Sequence, residues 1–123
     1  MQKLILGAGC RRNVSFAELK AGLHLFLEKN GIDQDEITLL ASCDLKSDEV
    51  GLLELARFLD VVITFFPKED LNRVAVPNPS TKVAGKIGTS SVAEAAAILA
   101  GRGRLLVEKH KYGNLTFALA TTF

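Results

Sequence analysis

The sequence is poor in cysteine, with only Cys10 and Cys43. Two isolated cysteines do not make the disulfide framework of a small secreted domain, and they read as two small, semi-buried residues at the ends of neighbouring strands. No Cys-x-x-Cys or His-x-x-x-His spacing occurs, so no metal-ligand set and no cofactor are expected. Charge is also lacking in excess: 15 Lys and Arg offset 14 Asp and Glu, for a net +1. That excludes the global field of a nucleic-acid binder and leaves room only for a local basic patch. The apolar run from Val61 to Phe66 is far too short to span a bilayer. The run from Leu4 to Leu6 is too short for a signal-peptide core, and no small-residue cleavage site follows it. Neither membrane nor nucleic acid is an expected partner, and the expected location is the cytoplasm. Internal repeats, low-complexity segments and linkers are missing too. The 123 residues therefore read as a single domain, 1–123, and the 48% apolar content suffices for strands covered on both faces.

What is present is an alternation of short apolar runs with helical patterns, which argues for an α/β fold with a largely parallel sheet. The first strand is read at residues 3–6. A helix follows over about 15–29, its apolar stripe formed by Phe16, Leu19, Leu23, Phe26 and Leu27, with a stop signal at Asn30-Gly31. Ser15 and Glu18 have the spacing of a capping box. A second strand is expected from Ile37 to Ala41. A second helix should start after Ser47, with Asp48 and Glu49 in its first turn, burying Leu52, Leu55, Ala56 and Leu59. Val61 to Phe66 is the third strand, ended by Pro67. A short helix is expected from Lys68 to Val74, whereas the two prolines of Val76-Pro77-Asn78-Pro79-Ser80 bar a central strand. An alanine-rich helix runs from about Val92 to Ala100, with Ser91 and Glu94 as a second capping box and Gly101 and Gly103 as its end. Arg104–Val107 and Leu115–Ala120 read as a terminal hairpin, which makes one edge strand antiparallel. Lys109, His110 and Lys111 are assigned to its turn, and His24 to the surface.

The chemistry is expected at the carboxyl ends of the strands. Gly7-Ala8-Gly9-Cys10-Arg11-Arg12-Asn13 reads as a tight glycine turn between a strand and a helix N-terminus, with two forked cations beside it. That is the design of an anion site. A dinucleotide fingerprint is excluded, because Arg12 occupies the third glycine position and no acidic residue ends a second strand at the required distance. No Gly-Lys-Ser/Thr phosphate loop is present either. Cys43-Asp44-Leu45-Lys46-Ser47-Asp48-Glu49 mixes acid and base over one turn, with Lys46 as a charge clamp and Asp44 as orienter or proton acceptor. Gly88-Thr89-Ser90-Ser91 opens a helix and is a second candidate anion cradle, with a plain N-cap as the alternative.

Side by side, these segments resemble the CobE / CbiG C-terminal-domain family of cobalamin biosynthesis. The match rests on Gly7-x-Gly9-Cys10-Arg11-Arg12, Ser42-Cys43-Asp44-Leu45-Lys46-Ser47-Asp48-Glu49, Val76-Pro77-Asn78-Pro79-Ser80, Gly88-Thr89-Ser90-Ser91-Val92-Ala93-Glu94-Ala95-Ala96 and Leu106-Val107-x-Lys109. The family's fold is a three-layer α/β/α domain with a mixed, mostly parallel sheet of about five strands. The resemblance implies either of two roles. A stand-alone form binds corrin or precorrin intermediates, and other pathway enzymes are further candidate partners. A longer form opens a lactone on cobalt-precorrin-5A and releases a two-carbon aldehyde. Because this chain begins at the domain's first strand, the stand-alone form is the expectation.

A precorrin is a flat macrocycle with acetate and propionate arms. Gly9, Cys10, Arg11, Arg12, Asp44, Lys46, Asn78, Ser80, Gly88, Thr89, Ser90 and Ser91 are therefore the expected ligand-binding residues. Phe66, Pro67 and Pro79 would offer apolar surface to the ring. In the hydrolase alternative, Asp44 or Glu49 is the base toward water, and Arg11 or Lys46 steadies the oxyanion. A third possibility is a protein that only docks another pathway enzyme.

Overall fold

The computed structural model describes residues 3–44, 48–76 and 92–122. Strand β1 is Leu4–Cys10 and helix α1 is Phe16–Asn30. A single 3-10 turn, Gln34–Glu36, leads into β2, Ile37–Cys43. Then come α2 (Val50–Leu59), β3 (Val62–Phe66) and α3 (Lys68–Asn72). Helix α4 (Val92–Gly101) and the hairpin β4 (Arg102–Tyr112) and β5 (Leu115–Thr122) complete the described chain. The strands form one sheet in the order β3-β2-β1-β5-β4. β1, β2 and β3 are parallel, whereas β5 is antiparallel to both β1 and β4. The antiparallel strand is thus β5, one place in from the edge, and not the edge strand that the hairpin suggested. A hairpin reverses direction once, and the inner of its two strands is the one inserted beside β1.

Alternation along β1 sorts the core into two layers. Leu4, Leu6 and Ala8 point to α1 and α2 and pack with Leu19, Leu23, Phe26, Leu52 and Leu55. Ile5 points the other way, into a cluster with Ala41, Cys43, Leu71, Ala95 and Ala96. The result is the three-layer α/β/α arrangement with a mixed, mostly parallel sheet. Helix α1 is built as its sequence dictates. Ser15 Oγ accepts the Glu18 N–H at 3.0 Å, and Gly31 closes the helix in the left-handed conformation with φ 64°. Exposed His24 lies 3.5 Å from Glu28, one turn along the same surface.

Three boundaries differ from expectation for reasons of packing. β1 continues to Cys10, because β5 pairs with it residue by residue from Leu4↔Thr121 to Cys10↔Leu115. α2 begins at Val50, with Glu49 in the extended N-cap position and Asp48 before it. Lys109, His110 and Lys111 belong to β4, where the half-buried His110 ring lies 5.7 Å from Phe26 and 6.5 Å from Tyr112. The turn itself is only Gly113-Asn114.

Gly7 shows how closely α4 lies on the sheet. A Cβ at this position would sit 1.9 Å from the Ala93 carbonyl oxygen and 2.9 Å from the Ala97 Cβ. Both are parts of a helix that cannot yield locally. Gly7→Ala is expected to destabilise the protein by about 3 kcal/mol or more, read as a shift of the urea unfolding midpoint. An unchanged midpoint would show that α4 does not press on β1.

Candidate functional site

Parallel β1, β2 and β3 end together at Cys10, Cys43 and Phe66, and the β4–β5 turn arrives at the same edge because Cys10 lies opposite Leu115. α4 starts there too. A Cβ on Gly9 would stand 3.7 Å from the Val92 Cβ and 3.9 Å from the Ala93 nitrogen. The glycines of β1 are therefore not a tight turn before α1. They are strand residues, and Gly7 lets a different helix, α4, lie close enough to bring its N-terminus to the sheet edge. Gly9 and Cys10 close the strand, and Arg11 follows with its N–H donated to the Asn114 carbonyl at 2.9 Å.

The two arginines separate. Arg12 Nη1 lies 2.6 Å from Asp48 Oδ1 and 3.2 Å from Glu49 Oε1. These acids, the hydrogen bond to Asp48 foremost, hold the guanidinium protonated above its usual range. The Glu49 carboxylate is 4% exposed and also accepts the Asn13 N–H, at 3.0 Å and 3.2 Å from its two oxygens. Asn13 takes φ 63°, a left-handed turn that asparagine tolerates. The β1–α1 loop is thus clamped to the start of α2, and Gly51 permits the contact, since a Cβ there would lie 2.6 Å from the Val14 carbonyl oxygen. Arg11 is exposed, and among the described residues nothing pairs with its guanidinium.

Asp44 is exposed at the end of β2, and the Cys43 thiol donates to its carboxylate at 3.7 Å. Cys10 and Cys43 end neighbouring strands, but they face opposite layers of the core. A bridge between them is therefore not available. Half-buried Phe66 and exposed Pro67 lie at the same edge. Lys46, Asn78, Pro79, Ser80, Gly88, Thr89, Ser90 and Ser91 lie outside the described residues.

Sequence reasoning missed two groups. Glu94, read as a capping partner, is fully buried and accepts the Lys109 N–H at 3.0 Å, which ties α4 to the irregular stretch of β4. Glu49, read as a dipole-compensating acid of the first turn and an alternative base, is the buried centre of the loop clamp. Its signal was the pairing of an Arg-Asn loop after one strand with an Asp-Glu pair after the next.

Glu49→Ala removes the carboxylate acceptor of the Asn13 N–H at a part-buried site. A loss of about 1–3 kcal/mol in unfolding free energy is expected, whereas Arg11→Ala should stay within about 0.5 kcal/mol of the parent. Chemical denaturation of both variants checks this, and equal midpoints would dissolve the distinction between the two sides of the loop.

The model of the cobalamin synthesis G C-terminus matches residues 4–120. Protein CobE of Sinorhizobium sp is 34% identical over 122 residues, an alignment spanning 95% of this chain and 79% of that protein. A cobalt-precorrin-5A hydrolase of Priestia megaterium is 32% identical over 118 residues, covering 95% of this chain. The chain spans only about a third of that enzyme's length (32%). The crystal structure of CobE, a protein from the cobalamin (vitamin B12) biosynthetic pathway, superposes with a TM-score of 0.86 at 37% identity, covering 99% of this chain and 92% of that one. A fold that agrees with CobE over nearly its whole length and a family match from the first strand to the last lead to one conclusion: the chain belongs to the family of the cobalamin synthesis G C-terminus, as a cobalamin biosynthesis protein of the CbiG/CobE type.

Proposed function

We propose that this protein binds corrin-ring intermediates in the cytoplasm by their carboxylate arms, at the edge where β1, β2 and β3 end. The observation that carries the proposal is Arg11. Its backbone is fixed by the Asn114 carbonyl, its guanidinium is unpaired among the described residues, and the N-terminus of α4 adjoins it across Gly9. A forked cation beside a helix N-terminus suits a carboxylate. Arg12 supports the site indirectly, because its charge is already engaged by Asp48 and Glu49. Lys46, Asn78, Ser80 and Gly88 to Ser91 join the proposal on sequence pattern, and the ring would rest against Phe66 and Pro67.

Titration with hydrogenobyrinic acid, followed by the visible spectrum, tests this reading. Arg11→Ala is expected to weaken binding by about tenfold to a hundredfold, the loss of a hydrogen bond to a charged group. Lys111→Ala, an exposed charge on β4, should change it little. A spectrum unaltered by the parent protein, without co-elution on gel filtration, would end the proposal.

The second reading is lactone opening, supported by the longer relative from Priestia megaterium, a cobalt-precorrin-5A hydrolase. Asp44 would then take a proton from the attacking water while Arg11 or Lys46 steadies the oxyanion. Acetaldehyde release from the lactone substrate, abolished by Asp44→Asn, is the expected result under that reading. Turnover that survives Asp44→Asn would remove Asp44 from the role.

A further inference from the structure

The two edges of the sheet are built in opposite ways. β4 carries Arg104, Glu108, Lys109 and Lys111 and breaks register with β5 at three points. Charge and irregularity of this kind discourage pairing with a further strand. β3, Val62-Ile63-Thr64-Phe65-Phe66, has no charged residue and keeps an unbroken parallel register with β2. Its other side pairs with no strand among the described residues. Val62 is 70% exposed, and the four residues after it are only partly covered. A regular, uncharged, apolar edge is a template for another strand.

We propose that its occupant is a second copy of this chain, paired antiparallel through β3 about a two-fold axis at Thr64. The register follows from the strand itself. Centring on Thr64 is the register that pairs all of β3, setting Val62 against the second copy's Phe66 and Ile63 against its Phe65. Both are pairs of a β-branched and an aromatic residue, which stabilise antiparallel neighbours. The same axis brings opposite ends of the two strands together, Asp60 before the start of one near Lys68 after the end of the other, so the edge is complementary in charge to itself. Pro67, which has no N–H to donate, lies where the pairing stops. The contact is isologous and closes at two copies.

Sedimentation of the full chain from low to several hundred micromolar should show a dimer, and a monomer throughout would overturn the proposal. Lys68→Glu turns both outer pairs repulsive and should weaken the dimer by about tenfold. Asp60→Lys added to Lys68→Glu should restore it. Asp60 adopts φ 57°, so circular dichroism must first show that the double variant is folded. Thr64→Cys gives an independent test. Antiparallel neighbours stand about 4.5–5.5 Å apart between Cα atoms, within disulfide reach. Mild oxidation should therefore yield a covalent dimer on a non-reducing gel, whereas Thr38→Cys, on exposed β2 surface, should not. A dimer that is indifferent to Lys68→Glu and leaves Thr64→Cys unlinked would place the interface elsewhere.

Discussion

The arrangement of the sheet edge depends on one close approach, that of the α4 backbone to β1. Gly7 has no room for a Cβ beneath the Ala93 carbonyl, and Gly9 lies under Val92. At the far end of the same helix, a Cβ on Gly101 would stand 2.6 Å from the Thr121 carbonyl oxygen. Gly7 and Gly101 therefore let the helix lie flat along β1 and β5, antiparallel to β1. Its direction follows from that placement, with the C-terminal end over Ile5 and the N-terminal end beside the last residues of the strand. Any side chain larger than hydrogen at Gly7 would lift α4 and carry its N–H groups away from the edge.

The alanine-rich composition of α4 is the other half of this contact. Ala93, Ala95, Ala96 and Ala97 are buried, and methyl groups are the largest side chains that such an approach accommodates. Glu94 is the exception, and it is bonded rather than packed, taking the Lys109 N–H that the register shifts of β4 leave without a regular strand partner. A buried carboxylate with a backbone partner is tolerable, whereas an unpartnered one would be expensive. The helix is thus fixed to β1 by shape and to β4 by a charge-assisted hydrogen bond.

Periodicity made the elements and the layers legible. The apolar stripes of α1 and α2, the Ser15 cap and the Gly31 stop are local features, and local sequence decides them. The end of β1 was not legible, because the Gly-x-Gly pattern carries two meanings. Glycine permits a tight turn, and it equally permits a helix to sit on a strand. Only the pairing of β1 with β5, contributed by the far end of the chain, selects the second. The place of β5 beside β1, and not at the edge, is likewise a tertiary choice. Of the proposed site, the meeting of strand ends was legible in sequence. The division of labour between Arg11 and Arg12 was not, since adjacent identical residues look equivalent until Asp48 and Glu49 come into contact with one of them.

That division decides the electrostatic character of the edge. Arg11, Arg12, Asp44, Asp48 and Glu49 all lie in loops after β1 and β2, and random mixing would let them neutralise one another. The structure sorts them. Asp48 and Glu49 are drawn to the α1–α2 side, where they engage Arg12 and the Asn13 N–H. Arg11 is held on the other side by the Asn114 carbonyl. Two acids thereby engage Arg12, one of them buried, and the Arg11 guanidinium stays exposed and unpaired among the described residues. The helix N-terminus adds to that charge instead of competing with it. The same clamp that stabilises the loop therefore also draws two negative charges away from the strand ends, leaving Arg11 and Asp44 as exposed charges after β1 and β2.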